Sequence, residues 1–418
     1  MNICVYGCGY FGITIACGLS EIGHKVHCID KNDYRITNLK KGIADLYEPD
    51  IKETVLKNIN NNLFFYDKYN IEQEIDIFII AVGAAENQQG GLNIESIIQV
   101  INEIISKSNF PTILIKSTLS IGDCDRLINE FKSKAQIVYN PEFFAQGSAL
   151  NDFLSSEKII LANANKDAVD KIKQLYKPIT NNIIEVDTKS AELAKLATDS
   201  FLALKISFIN EIANLSSKIG ADISSVKKIL IQDKRVGADN LQEGIGYGGN
   251  AITKSINIIL NQAKNSKCDL NTIKASKITN ESQKRQFVST ILKQYSYNIE
   301  GKVFCVWGLS FKENTSDIRE SSSNTVIDTL VRYGATIRAY DPKATNNIIK
   351  QYKAKEDAVM GSNALIILTP WEEFKNADFD FISKNLTDKM IFDARNLYLD
   401  KNLAEYGLKY YYIGKNDV

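Results

Sequence analysis

Three glycines near the start of the chain restrict its fold more than any other feature. Asn2 to Tyr6 is a short apolar run, Gly7, Gly9 and Gly12 follow at GxGxxG spacing, and a helical stretch runs to about Gly23. Lys25 to Ile29 is a second apolar run, closed by Asp30. Strand, tight turn, helix and strand in that order make one βαβ unit. The first glycine makes the turn, the second lets a pyrophosphate approach the backbone, and the third lets helix and strand pack closely. The helix N-terminus, beginning at Tyr10 and Phe11, then faces the phosphates. Asp30 stands where an acid accepts hydrogen bonds from a ribose 2′-hydroxyl and repels a 2′-phosphate, so NAD is expected rather than NADP. Lys31 and Arg35 are cations beside it that oppose this preference, and Arg35 is counted among the cofactor-facing residues.

Further apolar runs at Ile75 to Val82, Thr112 to Lys116 and Ala135 to Tyr139 alternate with helical stretches, as a doubly wound sheet requires. Their carboxyl ends, where ligands bind such sheets, carry Gly83, then Ser117 and Thr118, then Asn140, Pro141 and Glu142. From Lys189 to Gly220 the pattern turns helical. Leu193, Ala197, Phe201, Leu204, Phe208, Ile212, Leu215 and Ile219 recur at steps of three and four, predicting one continuous buried stripe. Leu202, Ile206, Ile209 and Ala213 add a second apolar face, so the helix is expected to be enclosed on most sides, as a connector or a dimer core would be. Lys195 and Asp199 lie on the face opposite the stripe and by themselves read as a solvated ion pair. A third segment repeats the strand and helix alternation from Lys302 to Trp307 onward, with strands at Ala335 to Tyr340, Ala364 to Leu368 and Met390 to Phe392, but without a second glycine fingerprint. There Lys312 and Arg319 flank a loop ending at a serine-rich helix start, a natural phosphate site.

Composition removes several classes of function. Fifty basic and 50 acidic residues cancel, leaving no global field that favours nucleic acid or anionic membrane. A chain of 418 residues suggests roughly three domains. No apolar run reaches the ~20 residues of a membrane span, and the first residues enter a strand pattern without a signal-peptide pattern, so a cytoplasmic location is expected. Seven cysteines show no CxxC pair and no metal-ligand spacing; they are expected to be reduced core thiols, and no metal is expected. With only His24 and His27 in the chain, catalysis must rest on Lys, Asp, Glu, Thr or bound water.

With these segments placed, the chain resembles the nucleotide-sugar dehydrogenases, the UDP-glucose/GDP-mannose dehydrogenase family, over essentially its whole length. The matching motifs are GCGYFG, YEP at Tyr47 to Pro49, KSTLSIG at Lys116 to Gly122, NPEF at Asn140 to Phe143, and AELAKLATDSFLALKISFINE from Ala191 to Glu211. DKRVG at Asp233, GYGG at Gly246, FKENTSDIRESSS at Phe311, YDP at Tyr340 and DARN at Asp393 complete the series. The resemblance implies an α/β chain of three parts: a Rossmann-type NAD domain at 1–188, a central long-helix dimerisation domain at 189–298, and a Rossmann-like nucleotide-sugar-binding domain at 299–418. It also implies two successive NAD-linked oxidations of a sugar hydroxymethyl group, with a cysteine trapping the aldehyde between them. By resemblance Thr118 and Glu142 position water, Lys195 stabilises an oxyanion, and Arg235 reaches the substrate, often across a homodimer interface. Phe143, Tyr247, Gly248, Lys254, Phe311 and Lys312 match donor-binding positions.

The departures gather at the chemistry. The family loop typically runs GYGGSCFPKD; here it is GYGGNAITKS, which puts Ala251 at the nucleophile and Ser255 at its helper aspartate. Gln146 replaces a glutamate, Asp199 an asparagine, Ala84 and Ala85 a Thr-Pro pair, and Asn240 and Glu243 an aromatic and a proline. An aspartate lost at 255 and gained at 199 leaves a carboxylate beside Lys195, able to assist deprotonation of an alcohol. Three readings follow: a nucleotide-sugar dehydrogenase that stops at the aldehyde or ketone, a non-catalytic homologue that binds NAD or nucleotide sugar as a regulatory or partner subunit, and an enzyme of another hydroxy acid. The second Rossmann-like segment argues against the third.

Overall fold

The computed structural model describes residues 1–87 and 91–415, which form two compact units: Met1–Thr198 with Asn257–Asp269, and Asp199–Ile256 with Leu270–Val418. The first begins β1 (Asn2–Tyr6), α1 (Tyr10–Glu21), β2 (Lys25–Ile29), α2 (Asp33–Leu39), α3 (Ile51–Asn58), β3 (Leu63–Tyr66) and β4 (Ile77–Ile80). A short ribbon of β5 (Ala85–Glu86) and β6 (Leu92–Asn93) leads to α4 (Glu95–Lys107), β7 (Thr112–Ile115), α5 (Asp123–Phe131), β8 (Gln136–Tyr139) and α6 (Ala149–Leu154). Then come β9 (Ile159–Ala162), α7 (Lys166–Tyr176) and β10 (Ile183–Val186). The sheet order is β10-β9-β8-β7-β4-β1-β2-β3, parallel except where β9 meets β8. Chain order reverses between β1 and β4, so the ligand crevice of this sheet lies at their carboxyl ends, where Gly7 and Ala81 to Gly83 stand.

The long helix α8 (Thr188–Ile219) begins in the first unit and ends in the second. The second continues with α9 (Ile223–Leu230), α10 (Asn250–Asn265), which returns to the first unit, and α11 (Asn271–Gln294). Its sheet is assembled from β11 (Val303–Trp307), α12 (Ser322–Arg332), β12 (Thr336–Tyr340), β13 (Lys350–Gln351), α13 (Lys355–Val359), β14 (Ala364–Ile367), α14 (Glu372–Lys375), α15 (Phe379–Asn385), β15 (Met390–Asp393) and β16 (Lys409–Tyr412). These strands run parallel in the order β13-β12-β11-β14-β15-β16. The molecule is α/β, with two Rossmann-type sheets and a long central helix, as the segments predict.

One expectation about α8 is reversed. Leu193, Ala197, Phe201, Phe208, Leu215 and Ile219 of the predicted buried stripe are exposed, Phe201 by 63%, while Leu204 and Ile212 are half-buried. The buried face mixes polar, small and apolar side chains: Glu192, Lys195, Leu196, Asp199, Ala203, Ser207, Ile209, Asn210 and Ala213. Lys195 and Asp199 are therefore not a solvated pair. Periodicity locates an apolar face without saying what covers it, and here small side chains let neighbours close on the polar face while hydrogen bonds satisfy it. Six of the seven free cysteines are buried, Cys268 being exposed, and both histidines are buried.

Glu192 exposes no surface, yet it accepts hydrogen bonds from the N–H groups of Gly122 and Cys124, both at 2.7 Å, and so closes the start of α5. Burial pushes its carboxyl up to about 7, against those two bonds, with Asp123 and Asp125 adding to the rise. A carboxyl raised in the folded state binds its proton there over a range in which the unfolded chain has released it. Its contribution to stability is therefore complete below about pH 4.5 and is lost as pH rises towards 7. The wild-type melting temperature should fall more steeply with pH across that window than that of Glu192→Gln. Parallel curves in differential scanning would contradict this.

Candidate functional site

The cofactor crevice is built by the βαβ unit. A Cβ on Gly12 would lie 1.7 Å from the Gly7 carbonyl oxygen, so only glycine lets α1 pack this closely on the turn, whereas a Cβ on Gly9 would meet nothing within 4 Å. That open space is what a pyrophosphate needs, and α1 starts beside it. Beyond lies a cavity of about 510 Å³ lined by residues including Gly7, Gly9, Asp30, Arg35 and Gly83. Asp30 accepts from Cys8 N–H at 2.7 Å and Asn32 N–H at 2.9 Å, which fixes its carboxylate at the cavity. Arg35 is held by Asp45 at 2.9 Å and lies 3.6 Å from Asp30. With its charge offset by two carboxylates, Arg35 is poorly placed to welcome a 2′-phosphate, and Asp30 repels one. NAD should bind more tightly than NADP, and Asp30→Ala should narrow the gap; calorimetry on both proteins checks this, and equal affinities in the unmodified protein would refute it.

A second cluster stands at the ends of β7 and β8. Lys116, its side chain 2% exposed, forms an ion pair with Glu142 and lies 5.5 Å from the ring centre of Tyr176. Burial draws the Lys116 ammonium well below its ordinary pKa. The loop carrying Glu142 is anchored from several sides. Tyr176 Oη donates to Asn140 at 3.0 Å, Asn140 donates to the Ile160 carbonyl at 2.9 Å, and buried Glu48 accepts from Gly147 and Ala149 N–H. Lys195 Nζ sits 5.6 Å over the ring of Phe143. Thr118 follows β7 in the same unit and is half-buried, and Phe11 packs on Phe144 at 5.2 Å between ring centres.

The second unit holds the glycine-rich loop before α10. Tyr247 N–H donates to Asn280 Oδ1 at 2.8 Å and its carbonyl accepts from Asn280 Nδ2 at 3.1 Å. Gly248 and Gly249 lie against the loop from Phe311 to Ser321: Cβ atoms there would come within 2.5 Å of the Glu320 carbonyl and 2.7 Å of the Phe311 ring. Ala251 is exposed in the first turn of α10. One turn further, buried Ser255 donates to Asp199 Oδ2 at 2.6 Å. Glu243 is buried, paired with Lys227 at 3.0 Å and accepting from Asn396 at 3.0 Å. Lys254 and Lys312 are half-buried, and Arg235 stands at the surface, its side chain 89% exposed and bonded to Asp233.

The structure thus brings Gly7, Gly9, Asp30, Arg35 and Gly83 to one cavity, with Tyr10, Phe11 and Gly12 behind it in α1, and Glu142, Phe143 and Lys195 to one cluster. Tyr247, Gly248 and Phe311 share one loop contact, and Arg235 stands apart from them on the surface. Sequence reasoning gave no role to Lys116, Glu48, Glu192 or Arg395, although each lay inside a matched motif. Arg395 is buried and donates to the Leu368 carbonyl at 2.7 Å. A charged residue inside a short matched motif was the available signal. Among the described residues no group of three or more His, Cys, Asp or Glu could hold a metal, and no helix is long and apolar enough to cross a membrane.

Comparison with known proteins defines the class. Residues 1–180 match the NAD binding domain of the UDP-glucose/GDP-mannose dehydrogenase family, 189–282 its central domain and 305–400 its UDP binding domain. The chain is 36% identical to the UDP-glucose 6-dehydrogenase YwqF of Bacillus subtilis (strain 168), covering 100% of this chain and 98% of that one. It is 32% identical to a UDP-glucose 6-dehydrogenase of Rickettsia bellii (strain RML369-C), covering 99% of each. Among solved structures, a UDP-glucose dehydrogenase from Pyrobaculum islandicum superposes with a TM-score of 0.87 at 26% identity, covering 99% of this chain and 98% of that one. A UDP-D-ManNAc dehydrogenase from Pyrococcus horikoshii shares the fold, with a TM-score of 0.88 at 22% identity over 100% of both chains. The chain belongs to the UDP-glucose/GDP-mannose dehydrogenase family, and its N-terminal part is that family's NAD-binding domain.

Proposed function

We propose that the protein is an NAD-dependent dehydrogenase of a nucleotide sugar and that it performs a single two-electron oxidation, leaving an aldehyde or ketone. Ala251 carries the single-step reading. A cysteine in the first turn of α10 would have its thiolate favoured by the helix N-terminus, whereas a methyl group forms no covalent adduct. NAD, when bound, accepts the hydride. Gly7, Gly9, Asp30 and Gly83 would hold it, with Tyr10, Phe11, Gly12 and Thr118 around the phosphates and the nicotinamide. The substrate hydroxyl proton passes to Asp199, directly or through water, while Ser255 steadies that carboxylate and Lys195 stabilises the alkoxide. Thr118 and Glu142 position water, with Lys116 holding Glu142. Phe143, Arg235, Tyr247, Gly248, Lys254, Phe311 and Lys312 would bind the donor, and the named relatives favour a uridine over a guanosine nucleotide. Residues 1–188, 189–298 and 299–418 serve in this reading as NAD, central and donor domains.

Assayed with a panel of UDP- and GDP-sugars, the protein should form one NADH per sugar and an aldehyde or ketone identified by mass. Ala251→Cys should begin to yield uronate, weakly, because Ser255 and Gln146 also differ from the family pattern. Two NADH and a uronic acid from the unmodified protein would refute the single-step reading. No NADH with any sugar, alongside measurable NAD binding, would select the non-catalytic homologue, the reading that Ala251 and Ser255 also favour.

The exposed apolar stripe on α8 supports a homodimer through the central segment, with Arg235 reaching the partner's site. Light scattering at micromolar concentration should give twice the chain mass, and Phe208→Glu should reduce it towards one; a monomeric wild type would contradict this. A cytoplasmic location is part of the same reading, supported by seven free thiols of which six are buried.

A further inference from the structure

We propose that a second cavity of the first unit, bounded by the Lys116–Glu142 ion pair, is a water-filled exit for the proton released in the oxidation, with Lys116 as the positioning residue that returns Glu142 to its ionised form. The cavity encloses about 120 Å³ and has no lining residue in common with the cofactor cavity. Lys116, Asn140 and Tyr176 are buried on its wall, Asp152 and Ser156 are half-buried, and Lys158 is exposed, so the lining runs from the ion pair to the surface. Roughly 10 to 15 Å³ of such space holds one water, so several fit, provided that polar groups meet them. The wall supplies those groups. Asp152 accepts from Ala145 N–H at 3.0 Å and from the Ser148 hydroxyl at 2.9 Å, both on Oδ2, which leaves Oδ1 for water.

The inference rests on the reading of Glu142 as a residue that positions water. When the substrate carbon yields hydride to NAD, the hydroxyl O–H bond also breaks, and one proton per turnover has to reach solvent. The positioned water takes that proton and passes one on to Glu142. Protonation of Glu142 strips the buried Lys116 ammonium of its counter-charge, which is costly, so the carboxyl gives the proton to the cavity waters and the ion pair re-forms. Asp152 and Lys158 then lie between those waters and bulk solvent. The other titratable group on the wall, Tyr176 at the end of α7, donates its hydroxyl to Asn140 and so faces away from the relay. Because the two cavities share no wall residue, this route need not cross the bound cofactor.

The test is stopped-flow kinetics on the full-length protein with NAD and UDP-glucose, or whichever UDP- or GDP-sugar yields NADH, recording NADH absorbance and proton release to a pH indicator in the same first turnover. In the unmodified protein the two should coincide. Ser156→Leu, which fills the cavity from its half-buried wall, should leave proton release behind NADH by roughly threefold to tenfold in rate and lower kcat without raising either KM. Ser155→Leu, at an exposed position outside the cavity, should behave as wild type. Lys116→Met should move the acidic limb of the kcat–pH profile to higher pH, because the carboxylate loses the charge that favours its ionised form. Melting curves establish folding; should Lys116→Met fail to fold, Ser156→Leu decides. Coincident NADH and proton release in Ser156→Leu, or an unchanged acidic limb in folded Lys116→Met, would overturn the inference and leave the dehydrogenase reading intact. A raised KM for the sugar in Ser156→Leu would overturn it too, by placing the cavity in the donor site. No NADH with any nucleotide sugar would overturn the inference and the dehydrogenase reading together.

Discussion

Glu192, Ser207, Asn210 and Asn214 lie on the inward side of α8, and each satisfies a group that would otherwise be stranded. Glu192 takes two N–H groups at the start of α5, Ser207 donates to the Ser276 carbonyl at 3.0 Å, Asn210 accepts from Gly244 N–H at 2.8 Å, and Asn214 donates to Gln283 at 2.7 Å. Buried polar groups are costly unless paired, so these bonds fix the rotation of the helix about its axis more sharply than apolar contacts could. Lys195 and Asp199 stand on the same face. Their burial is a consequence of that rotation, and so is the exposure of Phe201, Phe208 and Leu215 on the other side.

The two sheets use one device in opposite ways. Asp30 follows β2 and Asp341 follows β12, and each accepts an N–H from the loop after the neighbouring central strand. Asp341 is saturated by its own chain: Leu309, Ser310, Lys343 and Ala344 N–H, the Ser310 hydroxyl and the Trp371 indole all donate to it. It locks the turn after β11 and keeps little capacity for a ligand. Asp30 accepts fewer bonds and lines an open cavity. The same acid at the same topological point is a structural pin in one unit and a recognition group in the other, and the number of internal donors sets the difference.

Two buried carboxylates near the glycine-rich loop are internally compensated. Glu243 is a buried carboxylate held by Lys227 and Asn396, so the chain before α10 is fixed by an ion pair and a hydrogen bond. The buried carboxylate of Asp199 accepts a hydrogen bond from Ser255. A lone buried carboxylate would be strongly disfavoured, and the hydroxyl removes part of that cost.

The sequence by itself determined the first βαβ unit, the strands that carry Gly83, Thr118 and Glu142, the long helix, and the family. These signals are local: glycine spacing, apolar runs of strand length and helical periodicity depend on backbone geometry that each segment imposes on itself. Strands such as Leu63–Tyr66, Ile159–Ala162 and Ile183–Val186 went unread because four residues are too short a run to be told from a turn or a helix end until neighbours pair with them. Only the tertiary structure decided that Lys116 meets Glu142, that Glu48 pins the loop behind it, and that Ser255 donates to Asp199. Those pairs join residues up to about a hundred positions apart, and no periodicity encodes such a distance. Tertiary packing also chose which face of α8 is covered, because apolar spacing marks a face without naming its partner.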